Sequence, residues 1–156
     1  MRRLKIFLDT SVKLSGLASP TGGSKKLFDA ARLKKLKLVT SLYAMEEVND
    51  HLDKLNISPD LLKELLTSKT LFLVKNPTVE MNDKFIKITS DQNDAPILAA
   101  ALLSGADALV SLDKKHILTL KVKNSLKPMV VVSPKDFWKW VRERESNSLF
   151  DFGQNQ

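Results

Sequence analysis

Hydrophobic and polar positions along this chain fall into two alternating patterns. Short apolar runs are separated by stretches whose apolar residues return every three to four positions. The runs are Leu4-Lys5-Ile6-Phe7-Leu8, Leu36-Lys37-Leu38-Val39-Thr40, Leu71-Phe72-Leu73-Val74, Ala108-Leu109-Val110-Ser111-Leu112 and Met129-Val130-Val131-Val132. Apolar on both faces and bounded by polar turns, such runs predict strands buried in a parallel sheet. The first ends abruptly in Asp9, and the fourth ends the same way in Asp113. Open α/β sheets place their ligands past the carboxyl ends of strands, so this echo marks a candidate site.

Helical periodicity fills the intervals. A helix is predicted from about Ser24, with Leu27, Ala30, Ala31 and Leu33 as its apolar stripe. Ser41 caps another that runs to about Leu55, and Ser58-Pro59 opens a third through about Leu66. Ala95 to Ser104 is apolar nearly all round and predicts a deeply buried helix, with Asp94 as its cap and Gly105 as its end. Ser133-Pro134 starts the last helix, where Phe137, Trp138, Trp140 and Val141 share an arc of roughly 160° at 100° per residue. Val12 to Ser24 carries Gly16, Pro20, Gly22 and Gly23 and reads as a loop. Val79 to Thr89 fits either a short helix or an extended link. The polar stretch from Ser146 reads as a frayed tail. Strands alternating with helices predict a single-domain three-layer α/β/α sandwich over residues 1–145, built on a five-stranded, mainly parallel sheet, with a tail at 146–156.

Composition narrows the chemistry. The 156 residues suffice for one self-sufficient core. There is no cysteine, which excludes disulfides and thiolate metal sites and makes a reducing cytoplasm the expected compartment. Two histidines, His51 and His116, argue against a histidine-rich zinc centre. No apolar stretch approaches the ~20 residues of a membrane span, and a signal-peptide pattern is absent, so no membrane partner is expected. A formal charge of +7 suits either a polyanionic partner such as RNA or a lysine-rich solvated surface. Lys25 and Lys26 sit at a predicted helix start, where the macrodipole disfavours cations, and so are candidates for phosphate contact.

Each acid taken alone has an ordinary structural use. Asp94 would cap a helix, Asp91 form a turn, Asp113 cap the segment after it, Asp107 mark the start of a strand, and Glu46 and Glu47 face solvent. Taken together, Asp9, Asp94, Asp113 and one of the two glutamates fall where this topology can gather them. Converging carboxylates repel one another unless a cation sits between them. All-oxygen donors select a hard divalent ion, Mg²⁺ or Mn²⁺, which polarises a phosphodiester and lowers the pKa of bound water.

The motifs Leu8-Asp9-Thr10-Ser11-Val12, Ser41 with Met45-Glu46-Glu47-Val48, Asp91-Gln92-Asn93-Asp94-Ala95-Pro96 and Gly105 to Lys114, with Ser133 to Phe137, resemble the PIN-domain nucleases. The resemblance runs from Lys5 to about Val141 and is nearest to small prokaryotic PIN proteins, which include VapC-type toxins. It implies a Mg²⁺- or Mn²⁺-dependent endoribonuclease acting on single-stranded RNA through Asp9, Asp94, Asp113 and a glutamate. Glu47 is the preferred glutamate, because the family's precedes an apolar residue and Val48 follows Glu47. Thr10, Ser111 and Asp91 match positions that support the acids. An antitoxin protein and a homodimer are the partners such a toxin would have. Two residues depart from the pattern: Asn93 stands where another acid is common, and Leu112 where a glycine often precedes the fourth acid.

Other readings compete. A PIN-fold protein that binds RNA without cutting it satisfies the same motifs. Phosphoaspartate receivers and phosphatases also set acids at strand ends, but the third strand here ends in Lys75-Asn76 without an acid. Ser11 stands where a haloacid-type phosphatase needs its second aspartate.

Overall fold

A computed structural model describes residues 2–19 and 21–154, with side chains through Asn147. The five strands are β1 (Leu4–Leu8), β2 (Leu36–Ser41), β3 (Leu71–Val74), β4 (Ala108–Val110) and β5 (Val130–Val132). They form one wholly parallel sheet in the order β3-β2-β1-β4-β5. The eight α-helices among the described residues are α1 (Thr10–Ala18), α2 (Gly23–Arg32), α3 (Leu42–Leu52), α4 (Pro59–Thr67), α5 (Val79–Phe85), α6 (Ala95–Ser104), α7 (Leu120–Leu126) and α8 (Pro134–Gln154).

Strand pleating explains the two cores. Ile6, Leu8, Leu38, Ala108 and Val110 point to one face, where they pack with Val12 of α1, Leu27 and Phe28 of α2, Leu62 and Leu65 of α4, and Phe137 of α8. Phe7, Val39, Leu109 and Val131 point to the other, against Phe85 of α5, Ile97 to Ala101 of α6, and Val122 and Leu126 of α7. Helix α3 lies across the boundary, giving Ala44 to the second cluster and Met45, Val48 and Leu52 to the first. The result is the predicted three-layer sandwich. Trp138 and Trp140 pack on the first core, and the Trp138 indole donates to Gly23 O at 3.1 Å.

Four expectations need correction. The predicted loop from Val12 begins as α1, because Asp9 caps it and its buried stripe is Val12, Lys13 and Gly16, of which only Val12 looks apolar in sequence. Gly16 is there for closeness: a Cβ would lie 2.2 Å from Phe28 Cε2. Leu33 ends α2 rather than lining it and is 68% exposed. Asp94 makes no capping hydrogen bond to α6; Asp91 instead caps the short 3₁₀ turn Gln92–Asp94 by accepting from Asn93 N. Finally, α8 continues to Gln154, so the backbone from Ser146 to Gln154 is helical where a frayed tail is predicted. Elsewhere the helix caps are as read: Ser41 accepts from Ala44 N, and Ser58 from Asp60 N. Val79–Phe85 resolves as helix, Gly105 ends α6 in the left-handed region, and Leu102 and Leu103 leave the last turn of α6 half exposed. No helix among the described residues is long and apolar enough to cross a membrane.

Candidate functional site

In the order β3-β2-β1-β4-β5 the chain runs outward from β1 one way and then returns to its other side. The crevice past the carboxyl ends of β1 and β4 is therefore the switch point at which doubly wound sheets bind ligands. Asp9 and Asp113 flank it.

Asp9 is 5% exposed and is held from several sides. Its amide donates to Val110 O at 3.1 Å, pinning the end of β1 to β4. One carboxylate oxygen accepts from Thr10 N at 2.7 Å, and the other accepts from Ser111 Oγ at 2.6 Å and Ser11 Oγ at 3.4 Å. Ser111, wholly buried, also accepts from Asp113 N at 3.0 Å, so one hydroxyl orients two acids. Asp113 Oδ1 accepts from the amides of Lys115 and His116 at 3.1 and 2.9 Å, the local capping use expected of it. Asp107 takes no part: Arg2 and Lys5 N bind its carboxylate, tying the start of β4 to that of β1.

The glutamates separate. Glu47 is half-buried and accepts from Thr10 Oγ1 at 3.2 Å, whereas Glu46 is exposed. Burial pushes the Glu47 carboxyl above its ordinary pKa, and the Asp9 charge adds to this; the Thr10 bond and the Lys13 and His51 charges pull it back. Asp94 is perturbed further, to about 7, first by burial and then by repulsion from Asp9, Asp91, Asp113 and Glu47. Its Oδ2 is buried with no hydrogen-bond partner. Thus all four acids share one electrostatic neighbourhood. They are not closed around a point: among the described residues no three Asp, Glu, His or Cys side chains converge closely enough to hold a metal ion. An all-oxygen donor set with an unpartnered carboxylate oxygen suits a hard divalent cation in kind.

Two residues went unseen in the sequence. Tyr43 donates to Asn93 O at 3.0 Å and so props the turn that carries Asp94. Burial raises its phenol pKa, with Glu47, Asp94 and Asp91 adding to the effect. Lys13 is completely buried beneath the acids. Its segment carries the loop signals of Gly16 and Pro20, which conceal the helix it belongs to. The loops before Asp94 and after Asp113 are laced together, with Thr89 Oγ1 donating to His116 O at 3.2 Å and Ser90 paired with the His116 ring. Lys25 and Lys26 lie in the first turn of α2; Lys25 pairs with Asp29, Lys26 is exposed, and neither is among the charges that perturb Glu47 or Asp94.

Residues 5–115 match the profile of the PIN domain. Among solved structures, PAE2754 from Pyrobaculum aerophilum is similar with a TM-score of 0.56 and 18% identity, over 82% of this chain and 89% of that one. Mycobacterium tuberculosis VapC20, described as a sarcin-ricin loop cleaving toxin, aligns with a TM-score of 0.49 and 15% identity, over 70% of this chain and 90% of its own. No curated protein matches. The likeness to PAE2754 speaks for the fold alone. The profile match spans most of the sequence and every one of the four acids, and on it the chain belongs to the PIN-domain family, whose members are generally nucleases and typically use divalent metals.

Proposed function

We propose that this chain is a Mg²⁺- or Mn²⁺-dependent endoribonuclease that cuts single-stranded RNA, with Asp9, Glu47, Asp94 and Asp113 as the acids that hold the cation. The observation that carries the reading is Asp94. Its carboxyl is raised to about 7 by burial and by the other three acids together, and its Oδ2 has no partner. A site that sustains such repulsion is useful if a cation occupies it.

A bound divalent ion would polarise the scissile phosphate and activate a water as nucleophile. The chain's own residues prepare for that. Ser111 and Thr10 N fix both oxygens of Asp9, and Thr10 Oγ1 fixes Glu47, so these ligands lose little freedom on binding. Tyr43 holds the turn bearing Asp94. Near neutral pH Asp94 keeps a proton for part of the time, and its carboxyl would have to give that proton up to hold a cation. Lys25 and Lys26 contact RNA phosphates on the flank of α2 in this reading. The motif resemblance to small prokaryotic PIN proteins supports a toxin role, with an antitoxin protein and a second copy of the chain as partners.

Cleavage of end-labelled single-stranded RNA, with added Mg²⁺ or Mn²⁺ and with excess chelator, tests the reading. Cutting is expected only with metal. Activity that survives exhaustive chelation refutes the metal mechanism, and tight binding without cutting under all conditions favours a non-catalytic RNA-binding PIN protein.

A further inference from the structure

Lys13 is the least expected residue near the site. It lies in the first turn of α1, four residues beyond the capping Asp9, and Lys13 N donates to Asp9 O at 3.3 Å. The residue is 0% exposed, which is rare for lysine. Its ammonium donates to Thr40 Oγ1, whose own proton goes to Leu8 O at 3.1 Å, the last carbonyl before Asp9. Asp9 and Glu47 are the charges that act on it, neither of them close enough to form an ion pair. An apolar residue here would simply extend the first core, which Val12 and Leu8 already line. A buried ammonium with one hydrogen bond is costly by comparison, so its retention calls for an electrostatic use.

We propose that Lys13 is a positioning residue that serves as a resident counter-cation behind Asp9 and Glu47, offsetting their mutual repulsion in the metal-free protein and opposing, from its buried place, a divalent ion held by the same acids. The inference rests on the reading that these acids bind such an ion. It follows that the site is tuned for moderate rather than maximal affinity, and that the acids are already oriented before metal arrives. Burial lowers the Lys13 pKa to about 7, and the Asp9 and Glu47 charges oppose that fall.

Full-length wild type, Lys13→Met and Lys13→Gln provide the test. Met keeps the length of the stem and leaves Thr40 bonded to Leu8 O; Gln keeps an N–H for Thr40 without the charge. Lys63→Met on exposed α4 controls for net charge. Mn²⁺ binding is read by calorimetry and by the resonance of free Mn²⁺, with circular dichroism to verify folding. A unit charge acting on a divalent ion across several ångströms of near-aqueous dielectric changes its affinity by roughly tenfold. Both Lys13 variants should therefore bind Mn²⁺ about tenfold more tightly than wild type and the Lys63 control. If whichever Lys13 variant folds binds Mn²⁺ as wild type does, the counter-cation role is overturned and the metal reading stands. If no protein of the set binds Mn²⁺, the metal reading falls, and this inference with it.

Discussion

Replacing Asp94 by Asn removes a charge that the metal-free fold resists, and the surroundings of Asp94 give the sign of the effect and its order of magnitude. The carboxyl is displaced from 3.8 to about 7 by burial and by Asp9, Asp91, Asp113 and Glu47. At face value that displacement is worth about 4 kcal/mol. Asp94 is only partly buried, and solvent and salt screen it, so about 1–2 kcal/mol is the realistic expectation. Because the folded pKa is the higher one, the folded protein retains its proton where the unfolded chain has lost it. The destabilisation is thus complete above about pH 7, shrinks as pH falls, and vanishes near 3.8. No cap is lost, since Asp94 makes no capping hydrogen bond. In chelator at about pH 8, Asp94→Asn should melt roughly 3–6 °C above wild type, converging with it on acidification. Mg²⁺ should raise the wild-type melting temperature and the variant's much less. Differential scanning calorimetry of both proteins across pH makes the comparison. A variant that melts at or below wild type in chelator at about pH 8 would refute the claim that Asp94 is held against repulsion.

Three further outcomes are expected. Glu47→Gln should reduce RNA cleavage at least tenfold and Glu46→Gln hardly at all, in a side-by-side rate assay, since only Glu47 turns towards Thr10 and Asp9; the reverse order would reassign the ligand. Gly16→Ala should destabilise by about 1–3 kcal/mol despite the better helix propensity of Ala, because the new Cβ meets the buried Phe28 ring at 2.2 and 2.8 Å; chemical denaturation reads this directly. Lys25→Ala/Lys26→Ala should weaken RNA binding about equally for all sequences and flatten its salt dependence, with a wild-type slope marking the two lysines as ordinary surface charge.

Much of this architecture is legible in the sequence because strand and helix announce themselves by different periods. β3 is read to the residue, and Asp9 and Asp113 stand, as expected, just past the carboxyl ends of β1 and β4. What escapes is informative. Helix α1 hides because its buried stripe is written as Val12, Lys13 and Gly16, a lysine serving charge and a glycine serving Phe28. Periodicity counts apolar residues and so passes over both. Asp94 does stand at the N-cap position of α6, as an acid before Ala-Pro suggests, but its carboxylate makes no capping bond, and Asp91 caps the 3₁₀ turn before it. Helix phase says only that one of Glu46 and Glu47 can face the site, and the resemblance chooses Glu47; the role of Tyr43 has no local signal, since its contact spans 50 residues of sequence.

The pairing of β1 with β4 has a consequence for the chain's synthesis. Ser111 and Asp9 are 102 residues apart, and Leu112 N meets Ser11 Oγ across 101. A polypeptide growing from its N-terminus presents Asp9 first, then Glu47 and Asp94, and only 102 residues after Asp9 the segment that brings Ser111, and then Asp113, to them. Translation products that stop before β4 hold three of the acids with neither the fourth nor the hydroxyl that orients two of them. Until β4 is made, the end of β1 therefore has no neighbour on that side and the Asp9 carboxylate lacks the hydroxyl that orients it.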